Sequence, residues 1–243
     1  MTHSHDRSHR EFRTTRWSLV MKVDAPNVQD ARGALVDLCL FYWYPVYAYV
    51  RRCGHAPQIA QDITRNFLQH LLAHFQEPID RKAKGQFRRY LLERLNTFLA
   101  DDWRATLDEE AVPELSEPPP DLERRNQNDN AQATSPEEAY QRSFALEILA
   151  RAFKRLREEA RQTGHLPMYE ALEPYMAVDP APGEYEEIAT GLRSRPLALV
   201  VALKRLRQRF RELTGDELSD TVSSAAELAA EQQTLHAVLR QRS

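Results

Sequence analysis

The stretch His55–Phe75, HAPQIAQDITRNFLQHLLAHF, decides the fold. Pro57 stands where a first helical turn begins, and a missing N–H costs nothing there. Apolar side chains then recur every four residues, and others widen this stripe to a broad apolar face. The pattern predicts a buried helix of an all-helical domain. The recurring positions are Ile59, Ile63, Phe67, Leu71 and Phe75, and the widening positions are Ala60, Leu68 and Leu72.

The composition favours an all-α protein. Of the 243 residues, 42% are hydrophobic, which is enough apolar material for the cores of one or two domains. Only 7 residues are Gly, and so low a content favours helices. No apolar run reaches about 18 residues, and no apolar stretch follows the polar start as in a secretion signal. We therefore expect a cytoplasmic protein with no membrane segment. Cys39 and Cys53 show neither metal nor redox spacing, which indicates reduced thiols.

Three further helices are predicted around the opening stretch. Phe12–Val23 has the pattern of a short first helix, and Asn27 is a suitable N-cap for a long second one. Another helix is expected from about Gly85 to Arg104. The aromatic cluster Phe41–Tyr44 suits either base stacking or a core, and the core is favoured because the cluster continues an apolar face.

Charge is segregated along the chain. Residues 1–105 carry a net charge of +5 and residues 139–215 a net charge of +3, whereas residues 106–138 carry −8. Five prolines and the lack of any hydrophobic period predict that this acidic segment is a flexible linker. It would tether two basic blocks that touch DNA, or cover them when DNA is absent. Ser135 is expected to cap the helix Ala139–Gln162.

The second basic block predicts two helices joined by a turn. Glu184–Leu192 has inward-facing apolar positions, residues 193–195 form the turn, and Pro196 is the first residue of the next helix. Seven cations and no acid lie between Arg193 and Arg211. This pattern favours contact with phosphates over a solvated basic face.

These segments resemble, in order and spacing, those of bacterial ECF (extracytoplasmic-function) sigma factors. Pro57–Phe67 resembles the family's polymerase-clamp-binding helix, which typically reads P-E-D-A-E-D-L-V-Q-E-V-F. Leu40–Arg52, LFYWYPVYAYVRR, resembles the helix before it, and Gly85–Leu92, GQFRRYLL, resembles the start of the promoter-melting helix. Glu184–Leu192 is similar to the first helix of the family's helix-turn-helix. Openings like Phe12–Val20, FRTTRWSLV, occur in a subset of ECF-like factors.

The resemblance implies an all-α protein of two small domains that directs promoter-specific transcription initiation. Residues 1–11 would be a disordered tail, residues 12–105 the clamp-binding and promoter-melting domain, and residues 139–215 the helix-turn-helix DNA-binding domain. Residues 216–243 would be a C-terminal helical extension, either a brace or an autoinhibitory lid. The implied partners are promoter DNA and core RNA polymerase, through its β′ clamp helices and β flap. A Ser/Thr protein kinase and an anti-sigma factor are alternative regulators.

The matched motifs imply the functional residues. No catalytic residue, metal site or cofactor follows from the resemblance, and the chain has no Gly-rich phosphate loop or nucleophile motif, so an enzyme is not expected. Three residues would face the polymerase: Gln61, Asp62 and Arg65. Those that would face DNA are Arg88, Arg89 and Asn96 in the melting helix, and Arg193, Ser194, Arg195, Lys204 and Arg205 in the helix-turn-helix.

The clamp-binding helix departs from the family at its acidic motif. The family's D-A-E-D is Ile59–Asp62 here, and Arg65-Asn66 replaces a Gln-Glu pair. Fewer carboxylates predict weak binding to core polymerase as synthesised. Phosphorylation of Thr64 would add about −1.5 to −2 charge and restore the acidic surface. Alternatively, Thr64 is a core residue whose hydroxyl bonds back to its own helix.

The recognition helix departs as well. The family's turn Gly is Arg193, its Ser-Glu-Gly start is Arg195–Leu197, and a Lys that commonly faces DNA is Val200. These changes support a second hypothesis, in which the chain is a sigma-like interaction protein without initiation activity. It would titrate polymerase, DNA or a regulator.

Overall fold

The computed structural model describes residues 16–21, 28–74, 87–101, 115 and 117–240. This part of the chain is all-helical, as the composition predicts, and contains no strand. None of its helices is long and apolar enough to cross a bilayer. The helices are α1 (Arg16–Met21), α2 (Val28–Arg52), α3 (Pro57–Ala73), α4 (Phe87–Ala100), α5 (Leu122–Asp129), α6 (Pro136–Gln162), α7 (Leu166–Leu172), α8 (Glu184–Gly191), α9 (Pro196–Ser219) and α10 (Ala225–Arg240), with a 3-10 turn at Glu173–Tyr175.

Some sequence-based predictions lie outside the described residues. These are the disordered tail at residues 1–11, the ends of the predicted first and fourth helices, and most of the first part of the acidic linker, residues 106–114 and 116.

Helix α2 lies at the centre of the larger core. Every residue from Phe41 to Val50 is buried, and a helix that is apolar on all sides has to be surrounded. Accordingly, α1, α3, α5 and α6 all pack against it. The ring of Tyr42 stacks on Phe144 of α6 with 5.5 Å between centroids. The aromatic cluster Phe41–Tyr44 is therefore part of the core, as predicted.

Helix α3 begins at Pro57, as predicted, and buries Ile63, Phe67 and Leu71. The predicted stripe also includes Ile59, but this side chain is 41% exposed because burial along α3 starts only at Ala60. Helix α4 closes over the same core. The centroid of its Phe98 ring lies 5.4 Å from that of Phe67, and the centroid of its Phe87 ring lies 5.0 Å from that of Trp17.

Helix α5 folds within the segment that the sequence predicts to be a flexible linker. It packs between α2 and α6, and its acidic side chains accept hydrogen bonds from tyrosines of α2. The Tyr47 hydroxyl donates to Glu123 Oε2 at 2.6 Å, and the Tyr44 hydroxyl donates to Asp129 Oδ2 at 2.9 Å. Arg51 adds two bonds to Glu123, both 2.8 Å long. The prediction of a flexible linker is therefore wrong for residues 122–129. These residues have no apolar periodicity of their own, and polar contacts with α2 hold them in a helix.

Helix α6 belongs to two cores. It starts as predicted, with the Ser135 hydroxyl accepting from the Glu138 N–H at 3.1 Å. Its first half contributes Tyr140, Phe144 and Ile148 to the larger core. Its second half contributes apolar residues to a smaller cluster with α7 and α9. The cores therefore do not divide at residue 139, where the sequence predicts the second domain to begin.

Two backbone carbonyls in the segment between α9 and α10 accept hydrogen bonds from the first turns of α1 and α4. The Trp17 N–H donates to the Asp220 carbonyl at 3.1 Å, and the Phe87 N–H donates to the Thr221 carbonyl at 3.0 Å. Amides in the first turn of a helix lack an acceptor within it, so these carbonyls complete the starts of α1 and α4. Helix α10 then packs against α6 and α9.

Replacing Glu123 by Gln is expected to lower the free energy of unfolding by about 1–3 kcal/mol near neutral pH, since it removes the charged acceptor of Arg51 and Tyr47. Hydrogen bonds from Arg51 first, then Tyr47 and Gln127, lower the pKa of Glu123 from 4.5 to about 2. A lowered folded-state pKa means that Glu123 stabilises the fold above pH 4.5 and that this contribution is lost as the pH falls toward 2. In urea unfolding, the difference between the variant and the wild type should therefore shrink as the pH is lowered through this window.

Glu158→Gln is the matched control. Arg161 also lowers the pKa of Glu158 to about 2, but this pair is exposed on α6. Exposed pairs contribute little, so the control should unfold like the wild type. An equal effect of both substitutions would contradict the role assigned to Glu123.

Candidate functional site

The predicted helix-turn-helix residues form α8, a short turn and α9. Ala189 of α8 is buried against Leu199 and Leu203 of α9, as the apolar pattern predicts. The turn is closed by the Ser194 N–H, which donates to the Ala189 carbonyl at 2.9 Å. Arg193 has φ = +49°, a left-handed conformation in which Gly is usually favoured. The backbone at this position thus has a conformation that glycine usually takes, although an arginine is present.

The seven cations from Arg193 to Arg211 divide into structural and available ones. Arg207 donates to Asp179 Oδ1 at 2.6 Å and to the Tyr175 carbonyl at 2.6 Å. Arg209 binds Glu159 through two hydrogen bonds of 2.7 and 2.8 Å. These two arginines hold α9 in place, and Arg211 donates to Gln208 Oε1 of the same helix at 2.8 Å. Four others that the sequence assigns to DNA are exposed, with no ion pair among the described residues: Arg193, Arg195, Lys204 and Arg205.

The start of α9 exposes aliphatic side chains. Leu197 is 73% exposed, and Val200 and Val201 are exposed beside it. Reading of base edges requires hydrogen-bond donors and acceptors, so in this region only Arg193, Ser194 and Arg195 supply them. Ser194 is half-buried in the turn.

An apolar groove of about 730 Å³ lies between α6, α7 and the first half of α9. Leu156, Ala160 and Met168 form one side, and Leu197 and Val201 form the other. A further two lining residues, Arg195 and Arg205, bring positive charge to this groove.

The candidate DNA residues of α4 do not form one surface. Arg89 is exposed, and Asn96 is exposed with its side-chain oxygen accepting from the Tyr49 hydroxyl at 2.7 Å. Arg88, in contrast, is only 8% exposed, and its guanidinium lies 3.0 Å from Glu231 Oε1 of α10. The prediction that Arg88 is available to DNA is wrong for this conformation, since its side chain is buried and paired with Glu231.

The polymerase-binding candidates lie on α3. Gln61, Asp62 and Arg65 are all partly exposed, so they lie at the surface as the sequence predicts. Arg65 Nη2 lies 2.7 Å from Asp62 Oδ1. The Asp62 carboxylate is therefore neutralised within its own helix, and exposed Ile59 adds an apolar edge to this surface.

Thr64 is a core residue. Its exposure is 0%, and its hydroxyl donates to the Ala60 carbonyl at 2.7 Å. Of the two alternatives that the sequence leaves open, this geometry matches the second, in which the hydroxyl bonds back to the helix. A kinase has no access to the hydroxyl while α3 is packed.

Glu231 is a residue that sequence reasoning missed. Leu228 precedes it by three positions and Leu235 follows it by four, so all three lie on one face of α10. A single acid within an apolar helical stripe was the available signal. Nothing local indicates that its partner is Arg88, which is 143 positions away.

The described residues contain no cluster of His, Cys, Asp and Glu that could hold a metal ion. Cys39 is buried, which raises the pKa of its thiol, whereas Cys53 is exposed. Neither cysteine forms a disulfide.

Thr64→Glu is expected to destabilise the protein by at least about 3 kcal/mol, because it places a charge in a packed core without a partner. Thr97→Glu is the matched control, since the Thr97 hydroxyl also bonds to a carbonyl four residues earlier but lies on the exposed face of α4. The control should cost about 0.5 kcal/mol or less. Equal urea midpoints for the two variants would contradict the buried placement of Thr64.

No protein-family model matches the chain, and no curated protein or solved structure matches it.

Proposed function

We propose that this chain is an ECF-type sigma factor, which binds core RNA polymerase and directs it to promoters. The observation that carries the proposal is the α8–turn–α9 unit with its exposed cations Arg193, Arg195, Lys204 and Arg205. In a DNA-binding unit of this kind the second helix enters the major groove and its first residues reach base edges. Arg193 and Arg195 precede α9 and stand where such contacts are made.

Lys204 and Arg205 are the phosphate contacts of the proposal. They lie two turns along α9, and no acid intervenes between Arg193 and Arg211. Helix α4 would contact the unpaired promoter strand through Arg89 and Asn96, and through Arg88 only once Glu231 has left it.

The polymerase would be bound through two surfaces. The α3 surface formed by Gln61, Asp62 and Arg65 would meet the β′ clamp helices. The second surface would meet the β flap and would lie outside the part of α9 that contacts DNA. With Asp62 already paired to Arg65, the clamp surface offers little net negative charge, and we expect weak binding there.

Control by a Ser/Thr kinase at Thr64 would require α3 to open first, since the hydroxyl is fully buried in the packed state. An anti-sigma factor would need no such opening.

The second candidate is a sigma-like interaction protein without initiation activity. Exposed Leu197, Val200 and Val201 favour it, because they occupy the part of α9 in which a DNA-reading helix carries polar side chains. The two candidates differ in one assay. Run-off transcription with core polymerase and genomic promoter fragments should give promoter-specific transcripts with a sigma factor and none with the second candidate.

The double substitution Lys204→Ala and Arg205→Ala should weaken binding to duplex DNA of mixed sequence. Each lost phosphate contact lowers the slope of log affinity against log salt by about 0.9, so the double variant should lose close to two in slope. Fluorescence anisotropy over a salt series measures this.

Arg157→Ala with Arg161→Ala is the matched control, since it removes two exposed cations of α6 outside the α8–turn–α9 unit. Its salt slope should equal that of the wild type. A control that loses as much slope as the test variant would mean that binding follows net charge, and would contradict α9 as the DNA surface.

A further inference from the structure

Arg88 of α4 and Glu231 of α10 form a buried ion pair. The Arg88 Nε and Nη2 atoms lie 3.1 and 3.0 Å from Glu231 Oε1. Glu231 is 0% exposed. This pair is the charged contact by which the C-terminal helix reaches α4, and it covers a residue that the sequence assigns to nucleic acid.

The pair is incompletely satisfied on the acidic side. Glu231 Oε2 has no hydrogen-bond partner among the described residues. Burial raises the pKa of Glu231, which reflects the cost of keeping its charge out of water. A buried charge held through one of its two oxygens is less stable than a fully bonded one. The Glu231 carboxylate could therefore be displaced from Arg88 by another anion.

The Arg88 side chain has the chemistry of a phosphate contact. A guanidinium binds carboxylate and phosphate oxygens with the same donor geometry. The Arg88 guanidinium lies 5.4 Å from the centroid of the Phe144 ring, and the Arg88 carbonyl accepts from the Tyr140 hydroxyl at 3.1 Å. Both aromatic rings are buried, so they hold Arg88 in position and leave its guanidinium as the group that would bind a phosphate. Exposed Arg89 follows directly on α4.

We propose that α10 is an autoinhibitory latch, in which the Glu231 carboxylate occupies the position on Arg88 that a phosphate of single-stranded DNA takes when α10 is released. The inference rests on the proposed function, in which α4 contacts the unpaired promoter strand. It assigns the C-terminal extension a regulatory role instead of that of a simple brace.

The test compares binding of a fluorescent single-stranded oligodeoxythymidylate to five forms of the protein. These are the full chain, Glu231→Gln, Glu227→Gln, a chain ending at Ser224, and that shortened chain with Arg88→Gln. The shortened chain keeps the Thr221 carbonyl that accepts from the Phe87 N–H, so the start of α4 stays capped. Glu227→Gln removes the same charge from the same helix and leaves Glu231 in place, with an amide oxygen still able to accept from the Ser223 N–H.

Release of a competing internal ligand raises the apparent affinity by the inverse of the open fraction. We expect the shortened chain and Glu231→Gln to bind the strand at least about tenfold more tightly than the full chain. Glu227→Gln should stay within about twofold of it. Arg88→Gln in the shortened chain should remove the gain.

Three results would overturn the latch. Unchanged affinity in both the shortened chain and Glu231→Gln would make α10 a brace. An equal gain with Glu227→Gln would reduce the effect to net charge. A gain that survives Arg88→Gln would place the phosphate contact elsewhere.

Hydrogen exchange of the unaltered full chain tests the same point if a variant fails to fold. Added oligodeoxythymidylate should accelerate exchange along α10 and leave α8 and α9 unchanged, and unchanged α10 under saturation would reject the latch. Run-off transcription separates the two proposals. If the shortened chain binds the strand more tightly but gives no promoter-specific transcript, the latch is supported and the sigma function is rejected. If the protein gives promoter-specific transcripts but the shortened chain binds the strand no more tightly than the full chain, the sigma function is supported and the latch is rejected.

Discussion

The fold depends on the complete burial of the middle of α2. Its sequence from Phe41 to Val50 places aromatic rings on every side of one helix, so other elements have to surround it. Four of these rings are tyrosines, and three of them reach polar side chains of other helices, because a hydroxyl that leaves water needs a hydrogen-bond partner. Tyr44 and Tyr47 find carboxylates on α5, and Tyr49 finds Asn96 on α4. The hydrophobic constraint on α2 thus fixes the places of polar side chains far away in sequence.

The burial of α2 also explains why the acidic residues of α5 are folded against the core. An acidic, Pro-containing segment has no apolar stripe with which to pack, yet α5 is folded because α2 offers it tyrosine hydroxyls and Arg51. Burial raises the pKa of Tyr47 and of Tyr49, the latter to about 12, so both stay protonated donors near neutral pH. At the other end of the chain, Glu231 is drawn into the core by Arg88. In both cases a cation next to an aromatic cluster compensates a carboxylate that would otherwise stay in water.

Sequence patterns predicted what is local. Pro57 marks the start of α3, Ser135 caps α6, and the helices on both sides of Arg193 begin at the expected residues. These features depend on turns, caps and periodicity within a few residues. The order of residues 122–129 and the burial of Arg88 depend on contacts between segments more than 70 positions apart, which no local pattern encodes.

The candidate DNA and polymerase residues show the same division. Arg193 and Arg195 are exposed in the turn before α9, and Lys204, Arg205 and Arg89 are exposed on the solvent faces of their helices. Their function stays a prediction. For Arg88 the motif gave the helix but not the direction of the side chain, since neighbouring residues of a helix point about 100° apart. For Thr64 the sequence left a core position open as one of two alternatives, and the structure shows that position.

The continuous helix α6 has a consequence for distances. It runs for 27 residues and contributes to both cores, so it spans about 40 Å at a rise of 1.5 Å per residue. The two cores are thus joined by a rigid rod, and the separation of any two surfaces on them is set by helix length. A rod of this length corresponds to about 12 base-pair steps of B-form DNA at 3.4 Å each. Insertion of one residue into the middle of α6 would rotate one core by about 100° relative to the other. The relative orientation of surfaces on the two cores therefore depends on the number of residues in α6 as much as their separation does.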